Sequence, residues 1–193
     1  MITANNTDKD LVIELLCSSF DENKSVNYVI KQDDKRKLRL RKLMVYSYNL
    51  CSMFGEIYLS DDRKGCALAL FPENKKTNLE TTLLDLGLVF SSIGISRALK
   101  VLRRDSRIKS FYPREPIYYL WFIGVHPDHQ HQGVGSRLLE QLINKSSALK
   151  RPIYLETSMS ENIEFYEKFG FRVYQKLDFG HTLYSMKRDL KLV

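Results

Sequence analysis

Apolar residues recur at helical spacing through the first fifty positions and at strand spacing soon after, so the chain reads as helices leading into a sheet that later helices interrupt. Leu11, Val12, Leu15, Leu16 and Phe20 follow the 3.6-residue period, and Thr7 or Asp8 stands where a helix cap is needed. Helical patterns also cover residues 24–32 and 34–53, the second with Leu38, Leu40, Leu43, Met44 and Tyr48. Residues 55–60 and 66–71, joined by the turn Asp61-Asp62-Arg63-Lys64-Gly65, predict a hairpin that Pro72 closes. From 78 to 110 the period is helical again, with Leu83, Leu84, Leu88, Phe90, Ile93, Leu99 and Leu102 apolar and Gly87 and Gly94 as points of division. Asp85 and Arg97 break that stretch well short of the ~20 apolar residues of a membrane span, which predicts a buried helix pair instead.

The later half carries a second set of elements. IYYLWFIGV, from Ile117, is almost wholly apolar, as a strand covered on both faces should be. Tyr118 and Tyr119 alternate to opposite faces, and Trp121 shares the face of Tyr119. After a Pro/Asp/His turn, Val134, Leu138, Leu142 and Ile143 form one stripe of a helix, with Arg137 and Lys145 outward and within reach of a bound phosphate. The strand PIYLE, a helix with Asn162, Phe165, Tyr166 and Phe169, and two last strands complete the order.

Composition narrows the class. With 193 residues, 44% apolar and 11% aromatic, the chain suits one domain with a sizeable core. Cys17, Cys51 and Cys66 are odd in number and far apart, which argues against a disulfide framework or zinc site and makes a cytoplasmic location the expectation. The opening MITANNTDKD lacks the basic-then-apolar order of a signal peptide. Much of the net charge of +7 sits in residues 31–42 and 97–109, both read as solvated helix faces, so neither nucleic acid nor a membrane is an expected partner. His126, His129 and His131 lie close together in a polar loop with only Asp128 to help, and no metal is expected there. His181, between the last two strands, has no evident partner.

The chemistry concentrates at Gln130-x-x-Gly133-x-Gly135, between the apolar strand and the helix that follows. A glycine loop opening into a helix aims unpaired amides and the positive end of the helix dipole at one point, which suits an anionic, phosphorylated ligand. A Walker loop would need Lys-Ser/Thr where Ser136-Arg137 stands. A dinucleotide fingerprint would need a third glycine where Leu138 stands, although Glu156, 21 residues beyond Gly135, imitates its ribose-binding acid. Too little chain follows for a doubly wound sheet.

The loop resembles the acyl-CoA pyrophosphate loop, [R/Q]-x-x-G-x-[G/A], of the GNAT superfamily of N-acetyltransferases, and the segment from Pro152 to Arg172 resembles the next unit of that family. The runs VHPDHQ, LETS and FYEKFGF look most like the branch that includes puromycin N-acetyltransferase. The resemblance implies a mixed α/β (α+β) fold, with a central sheet of about six to seven strands flanked by helices on both faces. It implies one domain over 1–193, with 117–188 as the acetyl-CoA-binding and catalytic core and 72–115 as a variable helical insertion on the acceptor side. It also implies acetyl-CoA as co-substrate, no metal, and transfer of the acetyl group to a primary amine of a small molecule, with homodimers known among relatives.

By the same resemblance, backbone groups of Phe122, Ile123, Gly124 and Val125 are left free to pair with the pantetheine arm, an N–H near Ile123 polarises the thioester carbonyl, and Gln130, His131, Gln132, Gly133, Val134, Gly135 and Ser136 hold the pyrophosphate. Asn162 and Tyr166, four residues apart on one helix face, meet the arm and sulfur, and Tyr166 is the proton donor to the departing thiolate. Glu156 is the general base or the anchor of the acceptor ammonium, with Tyr119, Trp121 and Ser158 beside the acceptor. Many family members instead carry a glutamate on the central strand, where YYLWFIGV offers none. Two other readings stay open: acetylation of a protein N-terminal or lysine amine, and a CoA-binding sensor without turnover.

Overall fold

A computed structural model describes residues 1–190; the last three of the expected 1–193 domain lie outside the described residues. Fourteen elements follow one another: β1 (Ile2–Thr3), α1 (Lys9–Phe20), α2 (Lys24–Val29), α3 (Arg36–Phe54), β2 (Gly55–Leu59), β3 (Gly65–Leu70), α4 (Leu79–Leu88), α5 (Ile95–Lys109), β4 (Tyr118–Val125), α6 (Val134–Ala148), β5 (Ile153–Thr157), α7 (Glu161–Lys168), β6 (Arg172–Asp178) and β7 (Thr182–Arg188). The seven strands form one sheet in the order β1-β2-β3-β4-β5-β7-β6, antiparallel except for the β4–β5 pair. This is the expected mixed sheet of about six to seven strands. β1, two residues long, has no periodicity to betray it.

Strand alternation gives the sheet two apolar faces. Leu68, Leu70, Ile57 and Leu59 pack with Val12, Leu16, Leu40, Met44 and Tyr48 from α1 and α3. Ala67, Ala69, Tyr118, Leu120, Ile153 and Leu155 pack with Leu138, Leu139 and Leu142 of α6 and Tyr166 of α7. Helices therefore cover both sides, with the first three on one and α6 and α7 on the other.

The expected buried helix pair is overturned. α4 and α5 meet at 117° across a π-type turn and Gly94, and Leu83, Phe90, Leu99 and Leu102 are 60–67% exposed. Polar anchors hold these helices: Asn78 caps α4, Tyr46 donates to Asp85 at 2.6 Å, and Arg39 to the Ser91 carbonyl at 3.1 Å, while Ile108 is the one buried residue of α5. Among the described residues, no single helix is long and apolar enough to cross a membrane.

Candidate active site

The central strands part company early. β4 runs to Val125 and β5 to Thr157, yet they pair only at Tyr118 with Ile153 and Tyr119 with Tyr154. Beyond that point the β5-facing backbone of β4 has no strand partner among the described residues. A register shift opposite Leu68 and Ala69 leaves Trp121 as an extra residue in β4, a bulge that bends the strand at the mouth of the gap. His126 donates its amide to the Lys64 carbonyl at 2.9 Å, towards β3. By strand alternation Gly124 faces β3 as well, while Ile123 turns its N–H and C=O, and Val125 its N–H, into the gap.

The strand end is pinned from two sides. The Val125 carbonyl accepts from the Ser19 hydroxyl at 2.9 Å and the Gln130 side-chain amide at 3.2 Å. Gly124 permits the first contact, because a Cβ there would lie 2.8 Å from the Ser19 Oγ and 3.1 Å from Phe20. Gln130, expected among the phosphate ligands, thus spends its side chain on the strand end.

The loop beyond Gln130 is shaped for an anion. His131 takes φ 60° and Gly133 φ 76°, left-handed turns that curl successive amides towards one side. Among the described residues, the amides of His131, Gln132, Gly133, Val134, Gly135 and Ser136 donate to no protein acceptor, and α6 begins at Val134. A pyrophosphate fits this cradle: it is a concave row of free donors at a positive helix end, alongside an open strand edge for an amide-bearing arm. Arg137 lies against the loop, its guanidinium 3.3 Å from the Gln132 carbonyl and 3.7 Å from Asp62. The expectation for Lys145 fails. It sits eleven residues along α6, about 16 Å from the loop at 1.5 Å per residue, and pairs with Glu56 at 3.5 Å.

Two titratable groups flank the gap from opposite faces. Ile153 and Leu155 point towards α6 and α7, so Tyr154 and Glu156 point the other way. Tyr166 lies on the α7 side, 7% exposed, and among the described residues its hydroxyl takes no protein partner. Burial pushes its pKa well above the ordinary 10 and keeps the proton on at neutral pH. Asn162, one turn earlier on the same helix face, is exposed.

On the opposite side, Glu156 accepts from Tyr119 at 2.7 Å and from Tyr112 at 3.3 Å. Removal from water raises its carboxyl from an ordinary 4.5 to about 7, against the pull of the Tyr119 hydroxyl, the Arg104 charge and Tyr112. The same face continues along β4 to Trp121, which meets Tyr46 edge to face at 6.3 Å. Tyr46 leads to Asp85, so the wall is aromatic with acids behind it. Ser158 is 6% exposed and its hydroxyl accepts from the Ser25 amide at 3.2 Å, so this residue, expected beside the acceptor, ties its loop to the start of α2.

Tyr112, Arg104, Tyr46 and Asp85 were not among the sequence candidates. Tyr112 stands in the run Phe111-Tyr112-Pro113, but nothing in the sequence ties it to a carboxylate 44 positions away.

Residues 94–173 match the family model of the acetyltransferase (GNAT) domain. A curated relative in Schizosaccharomyces pombe, named as an uncharacterized N-acetyltransferase, is 41% identical over 59 residues, which are 31% of this chain and 24% of that protein. The match thus spans about a quarter of the relative's length. Among solved structures, the chain is similar to "histone acetyltransferase HPA2 and related acetyltransferase" from Corynebacterium glutamicum, with a TM-score of 0.71 and 19% identity over 100% of this chain and 96% of that one. It is also similar to arylalkylamine N-acetyltransferase 2 from Aedes aegypti, with a TM-score of 0.64 and 15% identity over 98% of both chains. The fold is that of the GNAT acetyltransferases.

Proposed function

We propose that this chain transfers the acetyl group of acetyl-CoA to a primary amine of a small molecule, by direct attack of the amine on the thioester. The observation that carries the reading is the opening between β4 and β5, with the free amides of residues 131–136 at one end and Glu156 and Tyr166 on its two faces. Within the GNAT family, the runs VHPDHQ, LETS and FYEKFGF support a relationship to the branch that includes puromycin N-acetyltransferase.

Acetyl-CoA supplies the activated acyl thioester. On the protein side, the loop amides hold the pyrophosphate, and the open edge at Ile123 and Val125 orients the arm that follows it. The Ile123 N–H is available to a carbonyl oxygen gaining negative charge, as an oxyanion-hole donor is. An alkyl amine carries its proton up to about pH 10, so attack needs a base at its side. Glu156, raised to about 7, is ionised enough at neutral pH to take that proton and protonated often enough to give it back to water. The buried Tyr166 hydroxyl stays protonated and faces the departing sulfur as its donor. Tyr46, Trp121, Tyr112 and Tyr119 make the acceptor wall aromatic, which favours an acceptor with an apolar or aromatic body.

A thiol-release assay over a panel of primary amines tests the reading. Turnover that falls about 100-fold or more in Glu156→Gln, with CoA affinity unchanged, supports it. Tight CoA binding without turnover on any amine, peptide N-termini included, overturns it in favour of a sensor.

A further inference from the structure

A second pocket of about 500 Å³ opens between α2, α5 and the β6–β7 turn. Lys100, Arg103, Arg104 and Arg107 line it together with Tyr28 and Phe179, and among the described residues no acidic one does. The acid nearest in sequence, Asp105, is tied to Lys109 at 2.7 Å. The Lys100 ammonium sits 4.6 Å from the centre of the Tyr28 ring, and the Arg104 guanidinium 5.8 Å from Tyr28 and 5.6 Å from Phe179. The rings of Tyr28 and Phe179 stand 6.0 Å apart, with His181 packed edgewise on Tyr28 at 5.4 Å. The floor therefore has cations over aromatic rings.

Two polar atoms are buried without a partner among the described residues: Arg104 Nε in the pocket, and His181 Nε2 on the ring packed against Tyr28. A buried donor left unpaired costs stability, and four cations around one hollow repel one another. Arg104 also donates to the Ser25 hydroxyl, and its charge acts on Glu156. One side chain thus joins this pocket to the carboxylate assigned to the acceptor amine.

We propose that the pocket holds an anionic group, carboxylate or phosphate, borne by the acceptor itself, so that the substrate is an amine with an acidic tail. This rests on the reading of Glu156 as the acceptor-side base. The amine lies at Glu156 and the acidic tail extends past Arg104 to Arg103 and Arg107, with the aromatic rings of Tyr28 and Phe179 against whatever joins them. Pairing the tail satisfies the Arg104 donor and relieves the mutual repulsion of the cations.

The experiment has two arms. In the first, ω-amino acids and phosphorylated amines are compared with neutral-tailed amines of the same length, in the native chain and in Arg103→Ala/Arg107→Ala, both exposed positions outside the chemistry. The expected result is a KM for acid-tailed amines that rises about tenfold or more in the variant at unchanged kcat, while neutral-tailed amines are unaffected. Equal effects on both classes, or a native preference for neutral tails, overturn the proposal. In the second arm, inorganic phosphate is titrated while the His181 ring is followed by NMR, a readout that the glycine loop does not share and that needs no turnover. A saturable shift, lost in the double variant, supports an anion site even if no amine is acetylated. No shift overturns it, and a shift without any preference for acid-tailed amines means a free anion is the occupant and overturns the acceptor assignment.

Discussion

Removing the Tyr119 hydroxyl tests the role of Glu156 directly. Its 2.7 Å bond donates to the charged form of a carboxyl that burial has raised to about 7. A hydrogen bond to a charged group contributes about 1.5–3 kcal/mol, and one pKa unit is about 1.4 kcal/mol. Loss of the donor disfavours the ionised form, so Tyr119→Phe should move the Glu156 pKa up by about one to two units, to roughly 8–9. At pH 7 the ionised fraction then drops from about a half to between roughly a tenth and a hundredth, and kcat/KM falls about 5–50-fold. The assay is the pH profile of kcat/KM in thiol release. Its acid limb should shift to higher pH in Tyr119→Phe, with activity recovering above the new limb. Tyr112→Phe, which removes a 3.3 Å contact, should shift it the same way by less. A uniform loss at every pH with the limb in place would refute the argument and leave Tyr119 a packing residue.

Three further outcomes are expected. Because the folded pKa of Glu156 lies above its ordinary 4.5, the folded state binds the extra proton between about 4.5 and 7, and stability declines as pH rises through that window. Urea unfolding at pH 5 and 8 should show the native chain losing up to roughly 2–3 kcal/mol more than Glu156→Gln over that interval. Tyr166→Phe should lower kcat by about 100-fold or more with the calorimetric affinity for CoA unchanged; a weakened affinity at constant kcat would make Tyr166 a binding residue. Gly124→Ala drives a Cβ to within 2.8–3.1 Å of Ser19 and Phe20, so α1 must shift and the Ser19 bond to Val125 is lost. Overpacking of that kind costs about 1–3 kcal/mol, a drop in Tm of about 2–10 °C, and an unchanged melt would mean that the contact is softer than the geometry implies.

Much of the fold was legible because it is local. The α1 and α6 stripes show in the helical period itself, and Val134, Leu138 and Leu142 are buried on the sheet. The glycine loop was legible through its spacing and its place between a strand and a helix, and the structure adds the left-handed turns at His131 and Gly133 that aim its amides.

What failed depended on partners distant in sequence. The period of Leu83, Phe90, Leu99 and Leu102 announces an apolar stripe on a helix, but periodicity does not say whether another element covers it, and among the described residues none does. The period shows that Lys145 points outward but not how far it stands from the loop, because a helix carries a residue away from its start by about 1.5 Å per step. The surroundings of Glu156 come from Tyr112, Tyr119 and Arg104, on three separate segments that no spacing rule connects. Ser158 offered a hydroxyl in the right neighbourhood, and the turn at Asn23 and Ser25 claimed it.

The central claim is that the gap between β4 and β5 stations a thioester between Glu156 and Tyr166. A crystal structure with acetyl-CoA bound tests it most directly. The account predicts the diphosphate on the amides of residues 131–136, the arm paired with Ile123 and Val125, and the acetyl group lying between the Glu156 and Tyr166 side chains. Density for the coenzyme elsewhere, or an acetyl group remote from both residues, would contradict it.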